Sequence, residues 1–165
     1  MTAPSQVVII DQPVSPTPGF ILAHQGRPTT QCYVDTTVFV DHFSDYTYIH
    51  LMKKLDGEST VKAKHNFERV WKSYSVTVQH YQSDNILFDT KIFKDVVYTA
   101  GQTLSCCGVN AHHQNRKAEN CIKDVTTGSR TALLCSMYQF PEAIHVTLWP
   151  DSLQNYTNLR NSLTT

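Results

Sequence analysis

The run Val7-Val8-Ile9-Ile10 restricts this chain more than any other stretch. Four successive β-branched apolar residues leave no face for water, so they read as a fully buried strand whose end, Asp11, meets solvent. A second carboxylate, Asp84, closes the strand-like run from Val76 to Ser83, and Glu119 follows on an amphipathic helical pattern. Two strand-end aspartates and a helical glutamate make a candidate cluster of hard oxygen donors.

The rest of the chain supplies elements around that cluster. Pro13, Pro16, Pro18 and Gly19 predict an irregular loop to about Thr30. Cys32 to Phe43 and Tyr46 to Met52, rich in Val, Tyr, Phe and Thr, predict a hairpin connected through Ser44-Asp45. Asp56 or Ser59 is a candidate cap for a helix whose Ala63, Phe67, Val70, Trp71 and Tyr74 recur at helical spacing. Lys62, Lys64, Arg69 and Lys72 then read as its solvated face. Val76 to Tyr81 predicts a strand, Lys91 to Thr99 a helix and Thr103 to Cys107 a short strand. After a polar loop, Ala118, Ile122, Val125, Ser129, Ala132 and Leu133 mark the buried stripe of a helix that carries Glu119 beside it. A last helical segment from Pro141 is expected to be kinked or divided at Pro150.

The words around the acids are specific in their order: Asp11-Gln12 with Thr17-Pro18-Gly19-Phe20, Val38-Phe39-Val40-Asp41-His42, Ser83-Asp84-Asn85, and Gly108-Val109-Asn110-Ala111-His112-His113-Gln114-Asn115 leading to Ala118-Glu119, with Leu148-Trp149-Pro150 near the end. Together they resemble the integrase catalytic core of copia-type LTR retrotransposons, from about Val7 to about Leu163. The resemblance implies an α/β RNase H-like fold, a central mixed five-stranded sheet in the order β-β-β-α-β-α-β-α flanked by helices. It also implies a metal-dependent transferase that trims the ends of element cDNA and joins them to target DNA. Asp11, Asp84 and Glu119 would be both catalytic residues and ligands of two magnesium ions, with manganese as a substitute. Asp11 and Asp84 would hold one ion, Asp11 and Glu119 the other. Asn115, Arg116, Lys117 and Lys123 are the candidate DNA contacts. The expected partners are DNA and further copies of the chain, with no membrane and no small-molecule substrate, and the expected setting is intracellular, nuclear when host DNA is the target.

Each residue also has a plain structural reading. Asp11 could begin a turn, Asp84 could form a side-chain turn with Asn85, and Glu119 could pair with Lys123 one helical turn on. Asp41 closes another strand-like run but matches the family's second strand and is left outside the metal set. Adjacent His112 and His113 do not have the spacing of a paired ligand and read as positioning groups. Glu68 is the one acid available as a fourth ligand for an RNase H-type nuclease, and its place beside Phe67 favours a solvated position.

Composition narrows the possibilities. With 165 residues and 41% hydrophobic content, residues 1–6 read as a disordered lead-in and 7–165 as a single domain. Fourteen basic and 14 acidic side chains leave no net charge, so any grip on DNA must be local. The five cysteines form no Cys-x-x-Cys pair and read as buried thiols rather than a zinc or disulfide framework. No run approaches a membrane span.

The chain also departs from the pattern of the family it resembles. Ile86 and Arg116 stand where relatives have glycine, Asp45 where they have a basic residue, and Gly128 interrupts the catalytic helix. Glycine tolerates positive φ and close approach of backbone to phosphate, which isoleucine resists. These changes support the alternative of a catalytically decayed core that folds, and binds DNA or self-associates, without turnover.

Overall fold

The computed structural model describes residues 7–22, 30–83, 88–106 and 112–163. In chain order these form β1 (Val7–Asp11), β2 (Val14–Gly19), β3 (Tyr33–Asp41), β4 (Thr47–Met52), α1 (Gly57–Ser73), β5 (His80–Ser83), α2 (Lys91–Thr99), β6 (Thr103–Cys106), α3 (His112–Gln139) and α4 (Trp149–Leu163), with a 3-10 turn at Val146–Leu148.

β1 is interior, as its apolar run requires. It pairs antiparallel with β3, Val8 opposite Asp41 and Asp11 opposite Val38, and parallel with β5, Val7 beside His80 and Ile10 beside Ser83. β6 extends the sheet parallel to β5, and β4 covers the other edge of β3. Side chains alternate between two faces. Val8 and Ile10 join Phe39, Ala63, Phe67, Trp71, Phe93 and Val97 under α1 and α2. Ile9, Val38 and Val40 meet Cys121 and Val125 of α3 and Leu153 of α4. The sheet is therefore buried between two helical layers, which is the arrangement a wholly apolar strand needs.

The proline-rich stretch after Asp11, expected to be a loop, contains β2. Val14 opposite Asp35 keeps the register set by Asp11 opposite Val38, so β2 continues the line of β1 along the same edge of β3. The sheet thus stays five positions wide while gaining a sixth strand. Prolines fit here because β5 pairs only with β1, so no described strand asks β2 for the amide hydrogens that Pro16 and Pro18 lack.

Other local expectations shift as well. β5 begins only at His80, and Val76 instead donates its backbone N–H to the Trp71 carbonyl at the end of α1. The hairpin connection is longer than Ser44-Asp45. Asp45 donates its N–H to the Asp41 carbonyl and adopts φ 61°, while the Asp41 carboxylate takes hydrogen bonds from the N–H and hydroxyl of Ser44 at 2.8 and 2.6 Å. Asp56, not Ser59, caps α1 by accepting the Ser59 N–H. Pro150 lies in the first turn of α4 rather than breaking a helix, a place where the missing amide hydrogen has no partner to lose. His112 and His113, expected in a loop, belong to the first turn of α3.

Two burial expectations are overturned. Lys64 is fully buried, not solvated. Of the cysteines, Cys121 is buried, while Cys106 and Cys135 are exposed and Cys32 is half-buried; Cys107 lies outside the described residues.

Candidate active site

Asp11 ends β1 at half-burial, opposite Val38 and hence on the face covered by α3 and α4. One of its carboxylate oxygens accepts the N–H of Gln12 at 2.6 Å. Glu119 lies in the N-terminal third of α3 and is exposed. The helix that carries it is pinned to this face by Cys121 and Val125, which pack against Ile9. Asp84 lies outside the described residues. The last described residue before it, Ser83, is the strand partner of Ile10. Among the described residues no three His, Cys, Asp or Glu side chains gather as a metal cluster.

The candidate DNA contacts separate into two kinds. Arg116 and Lys123 are exposed, and Lys123 forms no ion pair with Glu119 among the described residues. Lys117 is committed elsewhere. Its ammonium meets the Asp45 carboxylate at 2.7 Å and donates to the His42 carbonyl, which binds α3 to the β3–β4 turn. Asn115 belongs to the first turn of α3, and its side chain lies outside the described residues, as do those of His112 and His113.

Around this clamp is a set of contacts that sequence inspection missed. Arg160 of α4 pairs with Asp124 at 2.8 Å, donates to the Asp45 carbonyl at 3.0 Å and to the Thr47 hydroxyl, and approaches the Cys121 sulfur at 3.3 Å. Burial pushes the Cys121 thiol above its ordinary range. The signal in the sequence was the acid at Asp45 where the resemblance leads one to expect a base, but nothing local links Asp45 to Lys117 or to Arg160, which lies 115 positions along the chain.

Asp41 and Glu68 are not placed beside Asp11. Asp41 sits opposite Val8, toward the other end of β1. Glu68 belongs to the α1 face, where Lys64 meets it at 2.9 Å, the Tyr81 hydroxyl donates at 2.7 Å and the Gln102 amide donates at 2.6 Å. Burial pushes the Glu68 carboxyl up, but these three donors outweigh it and hold the group below its ordinary value. The expectation of a solvated Glu68 is corrected, and it lies on the α1 side of the sheet, across from the face that Asp11 shares with α3 and α4.

A further acid, Asp35, is fully buried near the C-terminal end of β1. One oxygen accepts the Thr36 N–H at 2.6 Å; the other has no hydrogen-bond partner among the described residues. Burial, with a smaller contribution from the Asp11 charge, raises this carboxyl to about 6.

No known family profile matches the sequence, and no curated protein matches it. Solved structures do match in shape. The HTLV-2 integrase catalytic core domain, in its trimeric form in complex with magnesium, superposes with a TM-score of 0.60 at 13% identity, covering 93% of this chain and 83% of that one. The catalytic core domain of BIV integrase gives 0.58 at 12% identity, over 93% of this chain and 81% of that one. A chain of the simian T-cell lymphotropic virus intasome, in complex with PP2A regulatory subunit B56 gamma, gives 0.58 at 12% identity, over 91% of this chain and 47% of that one. Nearly the whole chain therefore has the RNase H-like fold of an integrase catalytic core.

Proposed function

We propose that this chain is the catalytic core of a copia-type retrotransposon integrase, a metal-dependent transferase that processes cDNA 3′ ends and joins them to target DNA. The observation that supports the reading is the placement of the elements that carry the acids. β1 and β5 run side by side to Asp11 and Ser83, Asp84 is next in sequence, and α3, the helix that carries Glu119, packs on the face of β1 that Asp11 shares. The similar HTLV-2 core was solved with magnesium.

The donor set fits such a metal. Asp11 and Glu119 offer hard carboxylate oxygens, and Glu119 is exposed with no partner among the described residues. Asp11 and Asp84 would hold one ion and Asp11 and Glu119 a second. Two bound magnesium ions would activate the attacking oxygen and stabilise the leaving oxygen of the phosphodiester. Arg116 and Lys123 would neutralise neighbouring phosphates, and Asn115 would help position the strand. Self-association fits the dimeric and trimeric forms of the HTLV-2 core, and action on host DNA implies the nucleus.

A decayed core is the second reading, favoured by one observation: Asp45 occupies the Lys117 ammonium that DNA would otherwise meet. The deciding experiment incubates the protein with labelled DNA ends in magnesium and in manganese, beside Glu119→Gln. Metal-dependent nicking or joining that disappears in the variant supports the transferase. Equal inactivity of both, with DNA binding retained, supports the decayed core.

A further inference from the structure

A cavity of about 380 Å³ lies between β2, β3 and the α3–α4 pair. Its α3 wall begins at Thr126, two helical turns beyond Glu119, or about 10 Å along the axis. That volume falls within the range of sites that enclose a small organic molecule.

The lining combines apolar walls with few open polar groups. Pro13, Pro16, Leu133 and Trp149 supply flat or branched apolar surface. Several nearby donors are already used. The Trp149 indole N–H donates to the Thr17 carbonyl at 2.9 Å, and the Ser129 and Ser152 hydroxyls donate to the carbonyls of Thr126 and Ser129. Of the lining groups without partners among the described residues, which include the Thr17 and Thr126 hydroxyls, two bear on the choice of ligand. One is the Arg130 guanidinium at the exposed rim; the other is the Thr36 hydroxyl, on a residue only 2% exposed. No acid lines the cavity, so its single cation faces no internal counter-charge.

A buried hydroxyl without a partner costs stability unless something meets it. An arginine at the mouth of an apolar cavity selects a planar anion. We infer that the cavity is a binding site for a small amphipathic monoanion, a hydroxylated aromatic ring system bearing one carboxylate. The carboxylate pairs with Arg130, the ring packs against Trp149 and Leu133, and the ring hydroxyl reaches Thr36. The ligand class follows from this charge pattern and does not depend on whether the carboxylates of the other site bind metal.

The test is titration of the full chain with 6-hydroxy-2-naphthoate, read by amide and indole NMR shifts, beside 2-naphthoate and 2-naphthol. The expected result is saturable binding with shifts at Thr36, Ser129, Leu133 and the Trp149 indole, while the indole of Trp71, in the other core, stays still. Arg130→Gln should weaken both carboxylates about ten-fold and leave 2-naphthol unchanged. Thr36→Val should weaken the hydroxynaphthoate and not the naphthoate, and thermal melts of both variants establish that they are folded. Absence of saturation, shifts centred elsewhere, or affinity for the carboxylates unchanged by Arg130→Gln would overturn the assignment.

Discussion

Lys117 and Asp45 meet at 2.7 Å across the seam between α3 and the β3–β4 turn. One cation of the α3 basic cluster thus serves the fold, while Arg116 and Lys123 stay exposed. DNA binding should divide accordingly. Arg116→Gln or Lys123→Gln should each reduce the dependence of DNA affinity on log salt by about one, whereas Lys117→Gln changes it little. Asp45→Ser should free Lys117 and strengthen binding, at a stability cost below about 1 kcal/mol because the pair is partly exposed. Filter-binding titrations at several salt concentrations give the answer; a Lys117→Gln effect equal to that of Arg116→Gln would contradict the division.

Gly128 presents a test with an unexpected sign. Helix propensity alone says that Gly128→Ala stabilises α3 by about 1 kcal/mol. A Cβ at that position would overlap the Tyr156 ring of α4, so the variant should instead be destabilised by roughly 1–3 kcal/mol. Gly128→Ala in a Tyr156→Ala background should recover the favourable propensity. Denaturant midpoints of the three variants decide the matter, and a more stable single variant would show that the helices are not so close.

Asp35 should make stability fall with rising pH. Its carboxyl titrates near 6 in the folded chain against an ordinary 3.8, so the folded state holds the proton more tightly. That contribution is fully present below pH 3.8 and is lost as pH rises through 6. Asp35→Asn removes the dependence. The wild type should therefore gain up to roughly 3 kcal/mol relative to the variant between pH 7.5 and pH 4. Chemical denaturation at the two pH values, with a constant difference between the proteins, would refute this.

Glu68→Gln should be severe for a different reason. Lys64 would stay fully buried with its carboxylate partner gone, which costs about 3–5 kcal/mol. Replacing Lys64 with Met in the same protein should restore much of that loss. The Glu68 carboxyl is held below its ordinary value, so its contribution is present above the unfolded pKa and disappears as acid protonates the folded group. Circular dichroism melts of single and double variants separate this pair from a surface one, for which every change would be small.

Much of the fold is legible because hydrophobic pattern is a local signal. The Val7–Ile10 run, the α1 stripe through Phe67 and Trp71, and the Val125–Leu133 stripe of α3 all pack as their spacing requires. β2 is misread because its prolines are judged without knowing that its outer edge has no described strand to serve. Lys64 is misread because a lysine on a helix is ordinarily solvated, and only the distant Tyr81 and Gln102 make the Glu68 beside it a buried partner. The three acids of the candidate site come from the resemblance to a family, and Asp84 lies outside the described residues. The occupation of Lys117 depends on a turn residue far away in sequence, and no spacing rule reports it.

The close approach at Gly128 reaches further than local stability. Helices in contact at a glycine against an aromatic ring have little freedom to turn about their own axes, because any rotation drives backbone into the ring. The helix that carries Glu119 is therefore held more than two turns away from it, at a contact between α3 and α4. Under the proposed reading, a change at that contact would shift Glu119 while all three acids stayed unchanged.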